Sequence, residues 1–296
     1  MHAARPGRRT LALALLAAVA VFGALSLGAK CYPPNTRVVV FMQGLYSSYD
    51  AGGTVETGIE PHTFQTLKQA FVAKGYDPAK LLDFSYAGGT VSADGVWHPK
   101  PYDCAITDRL ADLNLQPLEQ MLRDYRAKHP KAHFTLIGHS YGGYLAFIEA
   151  VRESQRADAD KLDIDVVVTL DAPLSGVSAD KKTVIDLSSS CVKTYEAGAE
   201  LVEARQDPTT PATRATQATN IAHAGIRLAT LGNNNDCLYA LPKCIGSGID
   251  DTSTQFIPQA AFTRAYDISS NPFLSHFAVL AYPPAVADAV TFIGAP

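Results

Sequence analysis

Several things are scarce in this 296-residue chain, which has one Trp, three Met and five Cys. No Lys/Arg-rich run lies in its body and the formal net charge is −4, so the electrostatic footprint of a nucleic-acid-binding protein is missing. No C-x-x-C spacing or paired-His motif occurs, so nothing calls for a metal, and no cofactor is expected. No fixed-period repeat is present, which excludes a solenoid. What remains is 47% hydrophobic and 18% charged, enough to bury a large core as one domain or as one domain with an insertion.

The N-terminus differs from the rest. "MHAARPGRRT" carries three Arg and no acid, and "LALALLAAVAVFGALSLGA" follows without a charge. That is the layout of a secretory signal, with small residues at Ser26 and Gly28 suiting cleavage within residues 1–28. A retained anchor is the competing reading, because the apolar run nearly reaches the roughly 20 residues that span a bilayer. The Arg8-Arg9 pair also permits twin-Arg export. Removal of the first 28 residues leaves 22 basic and 29 acidic residues, a net charge of −7. The expected location is therefore secreted or extracytoplasmic, with membrane contact only through an uncleaved anchor. An exported chain can keep disulfides. Cys237 and Cys244 flank "LYALPK" and make the first expected pair, Cys104 and Cys191 the second, and Cys31 is left over.

Apolar runs alternate with helical stretches. Strands are expected at 37–42, 80–86, 133–138, 163–170, 226–232 and 262–268, and helices at 62–75, 108–130 (interrupted at Pro117), 141–154, 213–225 and 284–294. Strands that are apolar throughout, separated by helices, imply an α/β fold: a mostly parallel sheet covered on both faces. Sites in such sheets lie beyond the carboxyl ends of the strands.

One such end is "FTLIGHSYGGYLAF", where a strand stops at a polar, glycine-rich knot and a helix begins at once. Gly138-His139-Ser140-Tyr141-Gly142 is G-x-S-x-G in a strand–turn–helix setting. A nucleophilic hydroxyl must stand clear of the backbone on a tight turn, and glycines two residues either side let strand and helix approach. Ser140 is accordingly the expected nucleophile, against the bland alternative of an ordinary turn serine. His276, in the loop before the last helix, is the expected base. The acid should follow a strand between them, and Asp236, after the penultimate one, is preferred to Asp171 or the Asp250/Asp251 pair. The oxyanion needs two N–H donors. Tyr141 should give one, and Leu45, after Gly44 in "FMQGLYSS", the other.

The chain resembles the α/β-hydrolase superfamily, lipase and esterase branch, over about residues 36–296. The resemblance rests on "MQGL", "GHSYGG", "TLDAPLSG", "NNNDCLY" and "SHFAVL". Gln43 stands where the family often has His, which touches the oxyanion loop's side chains but not its backbone donor. The resemblance implies hydrolysis of a carboxylic ester through an acyl-enzyme, with a small-molecule or lipid ester as substrate. Thioesterase, amidase or acyltransferase chemistry would use the same groups, and a non-catalytic binding protein is the rival of another class. Gly44, Trp97 and Tyr102 are the expected substrate-binding residues, and two stretches should shape the pocket: the loop 87–107, which carries Trp97 and Tyr102, and a polar insertion at about 172–212 in the place of a cap or lid.

Overall fold

Val38, Val40 and Met42 point to one side of the first strand, β1 (Arg37–Met42), and Val39 and Phe41 to the other; all five are buried. A strand buried on both faces belongs in the middle of a covered sheet. In the computed structural model, which describes residues 36–50, 55–57, 64–179, 182–183, 186, 191–233, 256–268 and 275–296, that is where β1 lies. These residues all fall within the compact unit Pro34–Pro296.

The other strands of the main sheet are β4 (Leu81–Asp83), β7 (His133–His139), β8 (Ile164–Leu170), β9 (Arg227–Asn233) and β10 (Phe262–Tyr266). Their order is β4-β1-β7-β8-β9-β10, and every neighbouring pair is parallel. Two short hairpins stand outside it, β2 (Ser47–Tyr49) with β3 (Val55–Thr57) and β5 (Gly89–Val91) with β6 (Trp97–Pro99).

Helices cover both faces. Val38, Val40 and Met42 share a core with α2 (Ala111–Lys128), α3 (Tyr141–Gln155) and α5 (Thr210–His223). Val39 and Phe41 share another with α1 (Gln65–Ala73) and α7 (Pro283–Ile293). Each large apolar side chain fully buried there contributes roughly 1.5–3 kcal/mol of transfer free energy. This is the α/β-hydrolase arrangement. Two further helices are α4 (Glu196–Gln206), between β8 and β9, and α6 (Ser275–Ala278), before α7.

Most expected elements lie within a few residues of their observed bounds. One differs in kind: Pro117 does not interrupt α2, which runs unbroken over 18 residues. Proline withdraws one N–H and crowds the preceding turn. Here Leu115, Leu118, Met121, Leu122 and Tyr125 are all buried on the same helix, and that burial outweighs the lost bond. The loop 87–107 is also more ordered than expected, holding the β5–β6 hairpin and a 3-10 turn at Cys104–Thr107.

The chain order singles out one end of the sheet. From β1 the chain moves outward to β4, then returns to place β7 on the other side of β1. The crevice at such a reversal, outside the carboxyl ends of the strands, is where open α/β sheets bind ligands. The residues at those two ends are Gln43-Gly44 and His139-Ser140.

Candidate active site

Ser140 takes φ 54°, ψ −127°, a conformation that costs a residue with a Cβ roughly 1–3 kcal/mol. The surroundings impose it. Its N–H donates to the Leu170 carbonyl at 2.9 Å, across from β8. Its own carbonyl accepts from Gly143 N at 3.0 Å and Tyr144 N at 3.1 Å, starting α3. A Cβ on Gly138 would run into Gly142, and one on Gly142 into the carbonyls of Met42 and Gln43. Ser140 is thus the N-cap of α3, yet its side chain makes no capping bond. A capping serine has extended backbone angles and bonds an N–H of the first turn; Ser140 has neither feature.

Two other non-glycine residues with positive φ follow strand ends on the same side: Tyr46 (60°), in the turn after β1, and Asp171 (44°), directly after β8. Asp163, before β8, and Tyr195, before α4, are the other two described non-glycine residues with positive φ, so three of the five lie at this end of the sheet.

The turn after β1 touches the elbow, the tight strand-to-helix turn at Ser140, directly. A Cβ added to Gly44 would lie 2.8 Å from the Ser140 Cβ and 3.2 Å from its Oγ. The next residue, Leu45, is half-buried. Tyr141 is the first residue of α3, and the N–H groups of a helix's first turn have no acceptor within the helix. The two expected oxyanion donors therefore sit on the backbone segments that flank Ser140.

His276 lies on α6 and is buried. Its ring centroid is 4.7 Å from that of His139, the neighbour of Ser140. His139 Nε2 is 2.9 Å from the His276 carbonyl oxygen. A carbonyl only accepts, so His139 carries its proton on Nε2 and donates it there. His139 thereby ties the strand end bearing Ser140 to the helix bearing His276.

Asp236, Cys237, Cys244, Asp250 and Asp251 lie outside the described residues, as do Cys31, His62 and the N-terminal segment. Asp171 is described and fully buried. Its N–H donates to the Leu231 carbonyl at 2.9 Å, and its Oδ1 accepts from Asn233 N at 2.6 Å. Asn233 Oδ1 in turn accepts from Ile268 N at 3.2 Å. Leu170, Asp171, Asn233 and Ile268 so link the carboxyl ends of β8, β9 and β10 in one chain of bonds that begins at Ser140.

Trp97 and Tyr102 are both buried. Trp97 Nε1 donates to the Asp83 carbonyl at 2.9 Å, and the Tyr102 hydroxyl is 3.1 Å from Ser47 Oγ. His98 is exposed, His129 Nε2 donates to the Gly95 carbonyl at 2.9 Å, and His133 is buried with Nδ1 3.0 Å from Asp165.

The stretch after β8 is tied to this side of the molecule. Cys104 and Cys191 form a disulfide, with Cα atoms 5.9 Å apart. Tyr195 N donates to Asp108 Oδ2 at 2.8 Å, and Tyr46 OH to Asp186 Oδ1 at 2.8 Å. Ala111 N donates to Glu200 Oε2 at 2.8 Å. Burial pushes the Asp108 carboxyl up, while bonds from the backbone of Tyr195 and Thr194 pull it partly back. The Tyr46 phenol is pushed up too, first by burial and then by its bond to Asp186, so it stays a donor.

A groove of about 370 Å³ lined by Thr36, Tyr125, His129 and Lys131 opens beside the starts of β1 and β7, the end of the strands remote from Ser140. Among the described residues no cluster of His, Cys, Asp and Glu has the make-up of a metal site, and no helix is long and apolar enough to cross a membrane.

No family model and no curated protein matches the chain. Solved structures do. Phospholipase PlaB from Legionella pneumophila matches at 12% identity and a TM-score of 0.44, over 72% of this chain and 41% of that one. A Bacillus licheniformis lipase in mature form matches at 14% identity and a TM-score of 0.47, over 90% and 96%. A lipase-esterase related protein from Clostridium acetobutylicum matches at 10% identity and a TM-score of 0.46, over 87% and 94%. The chain thus spans less than half of the Legionella phospholipase and nearly all of the other two.

Proposed function

We propose that this protein is an exported serine hydrolase that cleaves carboxylic esters through an acyl-enzyme. Ser140 Oγ attacks the acyl carbonyl carbon while the imidazole of His276 takes its proton. The oxygen of the tetrahedral adduct is held by the N–H groups of Leu45 and Tyr141. Asp236 orients the imidazole and stabilises the imidazolium. The adduct collapses, His276 gives its proton to the leaving alcohol, and the acyl group stays on Ser140. Water then attacks by the same route, returning the proton to Ser140 and releasing the acid.

The observation that carries this reading is the hydroxyl of Ser140. It belongs to a strained N-cap residue and makes no capping bond. A serine held at such cost without using its side chain for the helix is placed for something else. Incubation with p-nitrophenyl esters, acyl-thioesters and anilides tests the reaction type. Turnover of esters well above the others supports the proposal, and preference for thioesters or anilides would assign the same groups to thioesterase or amidase work.

A second reading of the acid has its own observation. Asp171 is buried directly after β8, and the residue before it holds the Ser140 N–H. It would then orient His276 in place of Asp236.

Export follows from the charged and then apolar N-terminus. The Cys104–Cys191 disulfide accords with an oxidising compartment. Secreted protein beginning near residue 29 supports cleavage, and cell-associated protein with Met1 intact would mark a retained anchor.

A further inference from the structure

Three consecutive peptide units after β1 are each held by a different buried hydroxyl. Tyr86 OH donates to the Gln43 carbonyl at 2.6 Å. Ser47 Oγ donates to the Gly44 carbonyl at 2.8 Å. Thr107 Oγ1 accepts from Tyr46 N at 2.8 Å and donates to the Cys104 carbonyl at 2.8 Å. Ser47 and Thr107 are 0% exposed and Tyr86 1%, so water cannot replace them.

The middle unit matters most. The Gly44 carbonyl and the Leu45 N–H belong to one planar trans peptide and point in opposite directions. Whatever fixes the carbonyl fixes the N–H. Ser47 has a single hydroxyl proton, and the Gly44 carbonyl can only accept, so that proton is committed there. Tyr102 OH, 3.1 Å from Ser47 Oγ, must then be the donor to Ser47. Burial pushes the Tyr102 phenol well above its ordinary range, which keeps that proton on. Tyr102 is itself held to β2 by paired backbone bonds with Tyr49, 3.0 and 2.9 Å. The bonds run one way: Tyr102 to Ser47 to the Gly44 carbonyl.

We infer that Ser47 and Tyr102 are positioning residues for the oxyanion hole, aiming the Leu45 N–H through the peptide they share with Gly44. This rests on the reading of Leu45 as an oxyanion donor beside Ser140. A donor acts on the charge that develops in the transition state, so its misdirection lowers kcat and leaves ground-state binding nearly alone. Both would act through the Gly44–Leu45 peptide, Ser47 on its carbonyl and Tyr102 on Ser47.

The test uses the mature protein, with active sites counted by fluorophosphonate labelling. Wild type, Ser47→Ala, Tyr102→Phe and the double variant are assayed on a p-nitrophenyl ester and titrated with an alkylboronic acid, which forms a tetrahedral adduct on a serine. Ser47→Ala should lower kcat per labelled site about 10–100-fold with KM within about threefold, a loss in the range of one weakened donor. Boronate affinity should fall with kcat. Tyr102→Phe should give a smaller loss of the same kind. Because the bonds run in series, the double variant should be no worse than Ser47→Ala. Wild-type kcat per labelled site in Tyr102→Phe, multiplicative losses in the double variant, or a rise in KM alone would overturn the inference, and the first needs only the gentler variant. Failure of the underlying reading would look different: the wild-type protein itself would carry no label on Ser140.

Discussion

Gly44 is packed so tightly on Ser140 that a methyl group on its Cα would come within 2.8 Å of the serine's Cβ. The contact joins the carboxyl end of β1 to that of β7, the two strands between which the chain reverses direction across the sheet. Gly44 has no positive φ, so it is the space and not the backbone conformation that demands glycine.

Gly44→Ala should therefore fold but work badly. The added methyl must push the turn away from the elbow by several tenths of an ångström, and with it the Leu45 N–H. A fall of at least about 10-fold in kcat/KM is expected, in line with the cost of small misplacements in a preorganised site. Thermal melting should move by only a few degrees. Full activity in Gly44→Ala would remove Leu45 from the oxyanion hole.

The identity of the acid is decided by two parallel substitutions. Asp236→Asn should leave the fold intact and lower kcat by about 10³–10⁴-fold, the scale seen when an imidazole loses its orienting carboxylate. Asp171→Asn should cost stability, because the buried Oδ1 that holds Asn233 N becomes a weaker acceptor or an NH₂ facing it. A larger activity loss in Asp171→Asn at equal melting temperature would transfer the role to Asp171.

The disulfide reaches the turn after β1 through few atoms. Cys104 opens the 3-10 turn that ends at Thr107, and Thr107 holds Tyr46 N. Its two cysteines are 87 residues apart, so loop entropy alone assigns it about 4–5 kcal/mol. Mild reduction should lower activity before it unfolds the protein, and Cys104→Ser with Cys191→Ser should melt several degrees lower. Peptide mapping without reductant should also show Cys237 linked to Cys244; free thiols there would refute that second bridge.

Glu149, on the helix that Ser140 caps, is fully buried, and its carboxyl is pushed up to about 7 by burial against the opposing pull of Arg156. A folded-state carboxyl raised from 4.5 holds its proton longer than the unfolded chain does. Stability should then fall as pH rises from about 4.5 to about 7 and level off above, a loss on the order of 3 kcal/mol from this group. Denaturant midpoints at pH 5 and pH 8 measure it. Glu149→Gln should flatten the difference, and an unchanged slope would show that Arg156 keeps Glu149 ionised throughout.

Much of the fold was legible because its central strands are buried on both faces and so carry apolar runs such as "VVVFM" (38–42) and "VVV" (166–168). Pro117 misled because the burial of one whole face of α2 overrides a local rule. The tight strand-to-helix turn at Ser140 was legible because its close packing admits only glycine at positions 138 and 142. The braces of the turn after β1 were not. Ser47, Tyr86 and Thr107 lie far apart along the chain and carry no mark that separates a buried hydroxyl holding a peptide from one on the surface. Only the Cys104–Cys191 pairing hinted that the loop around Thr107 is fixed. The strain at Tyr46 and Asp171 was likewise invisible, since neither residue type announces a positive φ.

The central claim is that Ser140 is the nucleophile. Mature protein treated with a fluorophosphonate, digested and mapped by mass spectrometry, tests it most directly. A single modified peptide spanning Ser140, loss of that label in Ser140→Ala, and a fall in kcat of many orders of magnitude in the same variant are the predicted results. Label on another serine, or hydrolysis that survives Ser140→Ala undiminished, would contradict the account.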